Sequence, residues 1–447
     1  MAKIGFISLG CEKNTSDTEY CIGALLSAGH EITGDPAEAD CIVINTCGFI
    51  RDARDEAEEA IREMLALKKE RPGLRVIVAG CYAQRNGKAL GEKFPEADAF
   101  LGVEPQHAIC SAVERVLEGG SFCHAAPPFT KWQEPENGRY LLTPFWRGNL
   151  KITEGCSNRC SYCAIPLIRG GLRSRPLEAA VGEAEAMAEN GVRELTVIGQ
   201  DVTAYGKDLG RPELLCDLLE RLGALEGLRW IRLMYTYPDE ISERLTDAMA
   251  SVPKVLRYID MPLQHADDGI LRKMNRRGTA EKYLRLIERL RKAMPDIALR
   301  TTFITGFPGE TEEAFERLLA FIREARFDRA GFFGYSPEPG TPAYDMPDRV
   351  PEEVIGERKA RLAEALEEIS LEKNRTLTGR TMDVLIENAS KKHSEGRTYR
   401  DAPEVDGVVV IKGAAGRPGD FVKVKITGTL GVNDLQGTVS KERNKKL

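Results

Sequence analysis

Residues 148–163 of the 447-residue chain read GNLKITEGCSNRCSYC, a short apolar strand followed by three closely spaced cysteines. Cys156, Cys160 and Cys163 are separated by three and then two residues, and no fourth cysteine follows locally. Three thiolates on one tight loop can hold three irons of a 4Fe–4S cluster and leave the fourth iron open. A structural zinc loop is the alternative, but zinc sites usually have four ligands in paired CxxC motifs, and the second pair is missing here. The spacing therefore favours an iron–sulfur cluster with one open iron.

The cysteine loop follows the first of six candidate strands that are separated by helix-compatible stretches. The other five are ELTVIG (194–199), RWIRLMY (229–235), RYIDMP (257–262), ALRTTFI (298–304) and RAGFFGY (329–335). Alternating βα units predict a parallel (β/α) barrel, but a closed one needs eight of them. We therefore expect a partial, splayed barrel over residues 142–375, which ends with a charged amphipathic helix at 352–375.

A separate α/β domain with a doubly wound parallel sheet is predicted for residues 1–125. Short apolar runs at 3–10, 41–46 and 75–80 are typical of buried parallel strands. Between the second and third runs, residues 52–70 have the apolar spacing of an amphipathic helix. Its predicted buried face consists of Ala57, Ala60, Ile61, Met64 and Leu65. Residues 126–141 are rich in proline and polar residues, and we interpret them as a linker.

A second group of cysteines follows the strands of this domain. Cys11, Cys47 and Cys81 are far apart in sequence, yet each comes directly after a predicted strand. The carboxyl ends of parallel strands lie side by side, so the three thiols should converge on one place. They would suffice for a second cluster with its own open iron. The alternative is that each is a small buried hydrophobic residue, which is a common role of a free cysteine.

The end of the chain changes to a period-two pattern. Strands predicted near 381–388, 407–413, 420–428 and 434–440 are separated by turns that contain glycine. They predict a small antiparallel β-barrel, of the size of an OB fold, over residues 376–441. Residues 442–447 are predicted to be a basic tail.

Composition indicates a globular protein of the cytoplasm. Hydrophobic residues make up 42% and charged residues 30%, and the net charge of −6 gives no overall attraction for nucleic acid. We expect no signal peptide and no membrane span, since no apolar run approaches the required length of about 20 residues. A reducing compartment disfavours disulfides. The cysteines outside the two groups are expected to be structural: Cys21, Cys41, Cys110, Cys123 and Cys216.

Several motifs together resemble the radical S-adenosylmethionine (SAM) methylthiotransferase family over nearly the whole chain. The CxxxCxxC loop resembles the radical-SAM signature, and SLGCEKN, NTCGFIRDARDEA and VAGCYAQR resemble the N-terminal half of these enzymes. The C-terminal strands are similar to a TRAM domain. SLGCEKN, YIDMPLQHA and APEVDGVVVI resemble the branch that modifies a ribosomal protein. The transfer-RNA branch instead has segments like TFGCQMN and PVQSGS.

The resemblance implies a transferase with two 4Fe–4S clusters that uses SAM both as methyl donor and as radical source. The implied substrate is small-subunit ribosomal protein twelve, methylthiolated at the β-carbon of an aspartate. Such a C–H bond is too strong and too weakly acidic for a base, so a carbon radical must remove the hydrogen. The implied partners are an electron donor such as flavodoxin or ferredoxin and a sulfur donor.

Polar groups at the carboxyl ends of barrel strands are the candidate SAM contacts. The candidates are Gln200, Asp201, Gln264, Arg300, Thr302 and Gly306. Each could equally be a cap or a structural ion pair. Arg300 could bind the SAM carboxylate through two hydrogen bonds, and Gly306 would allow a close backbone approach. We assign no role to His265.

The choice of substrate leaves alternatives open. Residues 376–440 contain nine Lys or Arg and eight Asp or Glu, whereas an RNA-binding module normally has a basic stripe. This near-neutral balance, with Glu404 and Asp406 beside a strand, favours a basic protein partner over RNA. Methylthiolation of adenosine in transfer RNA is the first alternative, and a non-catalytic iron–sulfur protein that binds the ribosome is the second. A radical-SAM enzyme without a second cluster is the third.

Overall fold

The computed structural model describes residues 1–124 and 126–440, so the predicted tail at 442–447 lies outside the described residues. The described chain forms two parallel sheets, a two-stranded ribbon and a closed barrel. None of its helices is both long and apolar enough to cross a bilayer. The boundaries between domains stay a prediction from the sequence.

The N-terminal sheet has six parallel strands in the order β2-β1-β3-β4-β5-β6. Its strands are β1 (Lys3–Ser8), β2 (Glu31–Thr33), β3 (Cys41–Thr46), β4 (Arg75–Gly80), β5 (Ala99–Leu101) and β6 (Phe122–His124). Its helices are α1 (Glu12–Ser27), α2 (Arg51–Glu70), α3 (Cys81–Lys93) and α4 (Ile109–Leu117). Helices α1 and α4 pack on one face and α2 and α3 on the other, which confirms the doubly wound fold.

The predicted helix at 52–70 is present as α2, one residue longer at its start. Four of the five residues of its predicted apolar face are buried, and Ala60 is half-buried. Strands β2, β5 and β6 were not predicted, because a strand of three residues is too short to show the alternation of apolar and polar residues.

The central sheet is an open half-barrel of six parallel strands, in the order β14-β13-β12-β11-β10-β7. These strands are β7 (Arg147–Lys151), β10 (Glu194–Ile198), β11 (Trp230–Leu233), β12 (Val255–Asp260), β13 (Ala298–Thr305) and β14 (Arg329–Gly334). The partial barrel is therefore confirmed. Leu150, Leu195, Ile231, Ile259 and Leu299 belong to the core beneath the outer helices. Alternate residues of the same strands face the barrel interior.

The helices around this half-barrel connect its strands. They are α5 (Ile165–Arg169), α6 (Leu177–Glu189), α7 (Leu214–Ala224), α8 (Glu243–Ser251), α9 (Asp268–Lys273), α10 (Ala280–Ala293), α11 (Glu312–Ala325) and α12 (Glu352–Arg375). A short ribbon of β8 (Thr153–Glu154) and β9 (Arg173–Ser174) brackets the cysteine loop. The charged helix predicted at 352–375 coincides with α12.

The C-terminal domain is a closed five-stranded barrel, as predicted. Its strands are β15 (Thr381–Ala389), β16 (His393–Arg397), β17 (Val409–Lys412), β18 (Phe421–Leu430) and β19 (Asp434–Val439). The pairing of β17 with β19 is parallel, whereas the other neighbours are antiparallel. Strand β16 was not predicted, because its sequence HSEGR has no apolar residue.

The C-terminal barrel closes the amino-terminal end of the half-barrel through buried ion pairs. Arg397 contacts Glu194 at 2.5 Å, and Arg232 contacts the same carboxylate at 2.9 Å. All three side chains are at most 2% exposed. Trp146 and Trp230 pack against the C-terminal domain beside them. The domain is thus docked at the end opposite to the cysteine loop.

We expect Arg397→Met to loosen this docked domain, because Glu194 would retain only Arg232 as a buried partner. Breaking a buried ion pair from one side costs about 3–5 kcal/mol. The variant should unfold at a lower urea concentration than the wild type, with tryptophan fluorescence as the probe. Arg221→Met, which removes an exposed pair with Glu178, is the control and should leave the midpoint unchanged. Equal midpoints for the two variants would contradict the assignment.

Candidate active site

The structure brings the three N-terminal cysteine loops together at the carboxyl ends of adjacent strands. Cys11, Cys47 and Cys81 follow β1, β3 and β4, which are neighbours in the sheet. Gly10, at φ 89°, lies so close to Cys47 that an added Cβ would be 2.7 Å from the Cys47 Cβ. These loops therefore meet as the strand-end argument predicts.

Asn14 fastens the loops to one another. Its Nδ2 donates to the carbonyls of Leu9 and Thr46, at 3.1 and 3.0 Å, which ties the β1 loop to the end of β3. Its Oδ1 lies 3.6 Å from the Sγ of Cys81. The sequence quoted in the SLGCEKN motif contains this residue, but nothing in its spacing reveals that it contacts three loops.

The second cysteine loop, 156–163, is fastened to the half-barrel from several sides. Asn158 donates to Asp201 at 2.7 Å. The Cys156 amide donates to the carbonyl of Gly170 at 3.1 Å. The hydroxyl of Ser161 donates to the carbonyl of Lys273 at 2.7 Å. The loop is thus held in a fixed shape at the carboxyl-terminal end of the half-barrel.

A buried charge network connects the two cysteine groups. The Arg169 guanidinium donates to Glu154 at 2.8 Å, to Asp17 at 3.0 Å and, through Nε, to the Sγ of Cys81 at 3.3 Å. Lys151 contacts Asp17 and also Glu154. These four charged side chains are at most 2% exposed. The charges of two cations and two carboxylates therefore cancel inside the interface between the N-terminal domain and the half-barrel.

An arginine also lies beside the other cysteine group. Arg276 is within 3.9 Å of the Sγ of Cys160 and packs 4.4 Å from the ring centre of Tyr237. Positive charge and hydrogen bonds at the sulfurs raise the reduction potential of an iron–sulfur cluster. Each predicted cluster site thus has a buried arginine at one of its sulfurs. Neither arginine was predicted from the sequence.

Burial raises the pKa of Cys81 and of Cys156 to about 12. Such thiols keep their protons at neutral pH unless a metal displaces them. No group of three or more His, Cys, Asp or Glu in residues 1–124 and 126–440 is arranged to hold a single metal ion. The donor sets nonetheless fit clusters in their chemistry: three soft sulfur ligands each, with a cation beside them. The six cysteines as cluster ligands stay a prediction.

Two of the predicted SAM contacts lie next to the cysteine loop. Gln200 donates to Glu154 at 3.0 Å, while its own Oε1 is buried without a partner among the described residues. An orphaned acceptor here fits the amino group of SAM. Asp201 instead accepts from the amides of Thr203 and Ala204 and from Asn158. Its oxygens are therefore engaged in positioning the loop.

The other predicted contacts lie on or beside β13. Arg300 pairs with Asp260 at 3.0 Å and with Asp406 of the C-terminal domain at 3.4 Å. The carbonyl of Thr302 accepts from the amide of Gln264, which has an unusual φ of 72°. A Cβ on Gly306 would lie 2.3 Å from Ile355 of α12. Its φ of 77° also favours glycine, and its predicted contact with SAM stays a prediction.

Two residues of α1 and Tyr235, which follows β11, form a further contact at the domain junction. Tyr235 directly follows Met234 after β11 and has a φ of 61°, which is rare for an aromatic residue. Its hydroxyl donates to Glu12 at 2.5 Å, and its ring lies 3.2 Å beneath the Nζ of Lys13. Lys13 and the Tyr235 hydroxyl lower the pKa of Glu12, although burial opposes this shift. Glu12 therefore carries its charge at the junction.

A cavity of about 170 Å³ adjoins this contact. The cavity is lined by Glu12 of the N-terminal domain, by Asn149, Thr196 and Met234 of the half-barrel, and by Pro403 of the C-terminal domain. It thus lies where the N-terminal domain, the half-barrel and the C-terminal domain meet.

The remaining cysteines and His265 lie away from this chemistry. Cys21, Cys41 and Cys216 are buried, Cys110 is half-buried and Cys123 is exposed. His265 accepts from the Asp267 amide at 2.9 Å through Nδ1, and its Nε2 faces Glu310 at 3.3 Å.

The charge balance of the C-terminal domain does not describe its surface. All but two of its nine basic residues are exposed: Arg380, Lys391, Lys392, Lys412, Arg417, Lys423 and Lys425. Of its eight acidic residues only Glu404 and Asp420 are exposed. Asp406 contacts Arg300, and Glu404 contacts Arg147, so both face the half-barrel. The near-neutral balance counted from the sequence therefore does not describe the exposed face of this domain, which carries mainly lysine and arginine.

Three family models match the chain in order. They are "Uncharacterized protein family UPF0004" over residues 3–102, "Radical SAM superfamily" over 150–322 and "TRAM domain" over 378–439. The first spans Cys11, Cys47 and Cys81, and the second spans the 156–163 loop.

Two relatives that match over most of their length bear the same name. "Ribosomal protein uS12 methylthiotransferase RimO" of Symbiobacterium thermophilum is 46% identical over 434 residues, which cover 95% of this chain and 89% of that protein. A protein of the same name from Elusimicrobium minutum is 44% identical, with coverages of 97% and 99%.

A solved structure supports the fold. The radical SAM methyltransferase TsrM from Kitasatospora setae, with a tryptophan substrate and a SAM analogue bound, has a TM-score of 0.55. The two chains are 15% identical, and the match covers 83% of this chain and 89% of TsrM. Identity this low supports the architecture alone.

If both cysteine groups bind clusters, reconstituted protein should contain about eight irons per chain. Cys47→Ala and Cys163→Ala should each lower this number to about four, because one cluster loses a ligand. Iron analysis and visible absorption measure the effect. Cys41→Ala is the control, since this buried thiol begins β3 and lies away from both groups. A Cys47→Ala protein that keeps all its iron would rule out the N-terminal cluster.

Proposed function

The chain belongs to the family of ribosomal protein uS12 methylthiotransferases, and from this premise we propose how its residues attach a methylthio group to uS12. The modified atom is the β-carbon of an aspartate. The observation that carries the proposal is the convergence of Cys11, Cys47 and Cys81 opposite the 156–163 loop, with one charge network between them.

The cofactors are SAM and 4Fe–4S clusters. Cys156, Cys160 and Cys163 would hold the cluster that supplies the electron for reductive cleavage of SAM, and Cys11, Cys47 and Cys81 would hold the one that carries the sulfur to be transferred. The protein's own part is to place the two sites against each other and to exclude water. Arg169 does this from the interface, since it contacts Cys81 and Glu154 simultaneously.

Gln200 is the predicted SAM contact that the structure supports best. Its free, buried Oε1 would accept a hydrogen bond from the amino group of SAM. Arg300 is held by Asp260 and Asp406, so it would act on SAM only through its charge. Asp201 would maintain the shape of the cysteine loop.

The division of labour among the domains follows from this arrangement. The segment 1–125 would carry the auxiliary cluster, 142–375 the SAM chemistry and 376–441 the contact with substrate, with 126–141 as a linker. The exposed basic residues of the C-terminal domain allow contact with ribosomal RNA around uS12. A reduced flavodoxin or ferredoxin as electron donor, a separate sulfur donor and a cytoplasmic location fit a ribosomal substrate.

The test is anaerobic incubation of reconstituted enzyme with uS12, SAM, sulfide and a reductant, followed by peptide mass spectrometry. We expect a gain of about 46 Da, one hydrogen replaced by a methylthio group, on a single aspartate. Cys163→Ala is the matched control and should give no gain. Modification of transfer RNA instead of uS12 would move the activity to the sister branch.

A further inference from the structure

Lys13 is an unpaired cation inside the junction of the N-terminal domain and the half-barrel. It is 7% exposed, and Lys151 is the other buried lysine among the described residues. Lys151 contacts two carboxylates, whereas no carboxylate of the described chain lies within 4.0 Å of the Lys13 ammonium. Buried charges are normally paired, because desolvation of an ammonium is costly. The charge of Lys13 acts on the neighbouring Glu12, whose carboxylate is held by the Tyr235 hydroxyl, but the ammonium forms no direct ion pair.

The ammonium is held in place but is not sealed off. Its contact is the Tyr235 ring, 3.2 Å from Nζ, and Tyr235 is itself anchored by its hydroxyl to Glu12. The Lys13 Nζ is not among the fully inaccessible polar atoms of the described residues. The residues on either side of this contact in the chain, Glu12 and Met234, line the cavity between the three domains, whereas Lys13 and Tyr235 do not.

Lys13 lies beside the predicted site of the N-terminal cluster, where the proposed reaction takes place. It is two residues after Cys11, and its charge acts on Cys47 as well as on Glu12.

We propose that Lys13 binds the side-chain carboxylate of the substrate aspartate and thereby selects aspartate as the modified residue. This inference rests on the proposed function. The aspartate enters beside Tyr235, its carboxylate pairs with the ammonium, and its β-carbon is held between the two cysteine groups. Lys13 is a residue for substrate specificity and takes no part in electron transfer.

The test compares binding of uS12 with that of uS12 in which the modified aspartate is changed to asparagine. The reconstituted enzyme is used with SAM but without a reductant, so that no chemistry occurs. A charge-assisted hydrogen bond of this kind should make the aspartate form bind about 10- to 100-fold more tightly. Lys13→Met should bind both forms with the weaker affinity, and Lys13→Arg should retain the preference. Lys88→Met, on the exposed surface of α3, is the matched control and should behave as the wild type.

Each outcome decides the matter. A Lys13→Met enzyme that still prefers the aspartate form would overturn the proposal. The proposal would also be overturned if Lys13→Met and Lys13→Arg each lost about four irons, because the lysine would then be needed for binding of the N-terminal cluster. Failure of the wild type to modify uS12 would refute the proposed function, whereas normal modification by Lys13→Met with full affinity would refute only the role of Lys13.

Discussion

The requirement that buried charges be paired determines how the two halves of this active site meet. Arg169 and Lys151 come from the half-barrel, Asp17 comes from α1, and Glu154 lies on β8 just before the cysteine loop. An error in docking would leave one of these charges buried without a partner, at a cost of several kcal/mol. The network therefore specifies one orientation of the N-terminal domain. In that orientation Cys81 lies against Arg169 and faces the second cysteine group.

The same rule operates at the opposite end of the half-barrel, with a different consequence. Arg397, Asp401 and Asp406 are used to dock the C-terminal domain onto Glu194, Arg329 and Arg300. Docking engages Asp401 and Asp406, and most of the domain's other acids are half-buried, so its exposed residues are mainly basic although its sequence is nearly neutral. Net charge over a segment thus misjudged the surface that a partner meets. The identity of the substrate rests on the relatives, and the domain's basic face is compatible with a protein embedded in ribosomal RNA.

Features that depend on local pattern could be predicted from the sequence, and features that depend on pairing in space could not. Apolar runs located β1, β3 and β4, and the position of a cysteine after each was enough to bring the three together. The alternation of strand-like and helix-like segments predicted the half-barrel, and the amphipathic spacing of apolar residues predicted α12. By contrast, β16 has no apolar residue, and Asn14 and Arg169 owe their roles to partners distant in sequence. Gly306 was predicted near SAM from its position and stays a prediction, while its φ of 77° and its closeness to Ile355 could not be read from the sequence.

Two residues that follow barrel strands have a strained backbone. Tyr235 and Gln264 both have positive φ at the carboxyl ends of barrel strands, a conformation that costs of order 1–3 kcal/mol per residue. At Tyr235 the amide thereby reaches Asp260 at 3.1 Å, while the ring supports Lys13 and the hydroxyl holds Glu12. Surrounding contacts must offset this cost. The strained tyrosine therefore holds the Lys13 ammonium and the Glu12 carboxylate in fixed positions, with the ammonium free of a direct ion pair and in place for the substrate carboxylate.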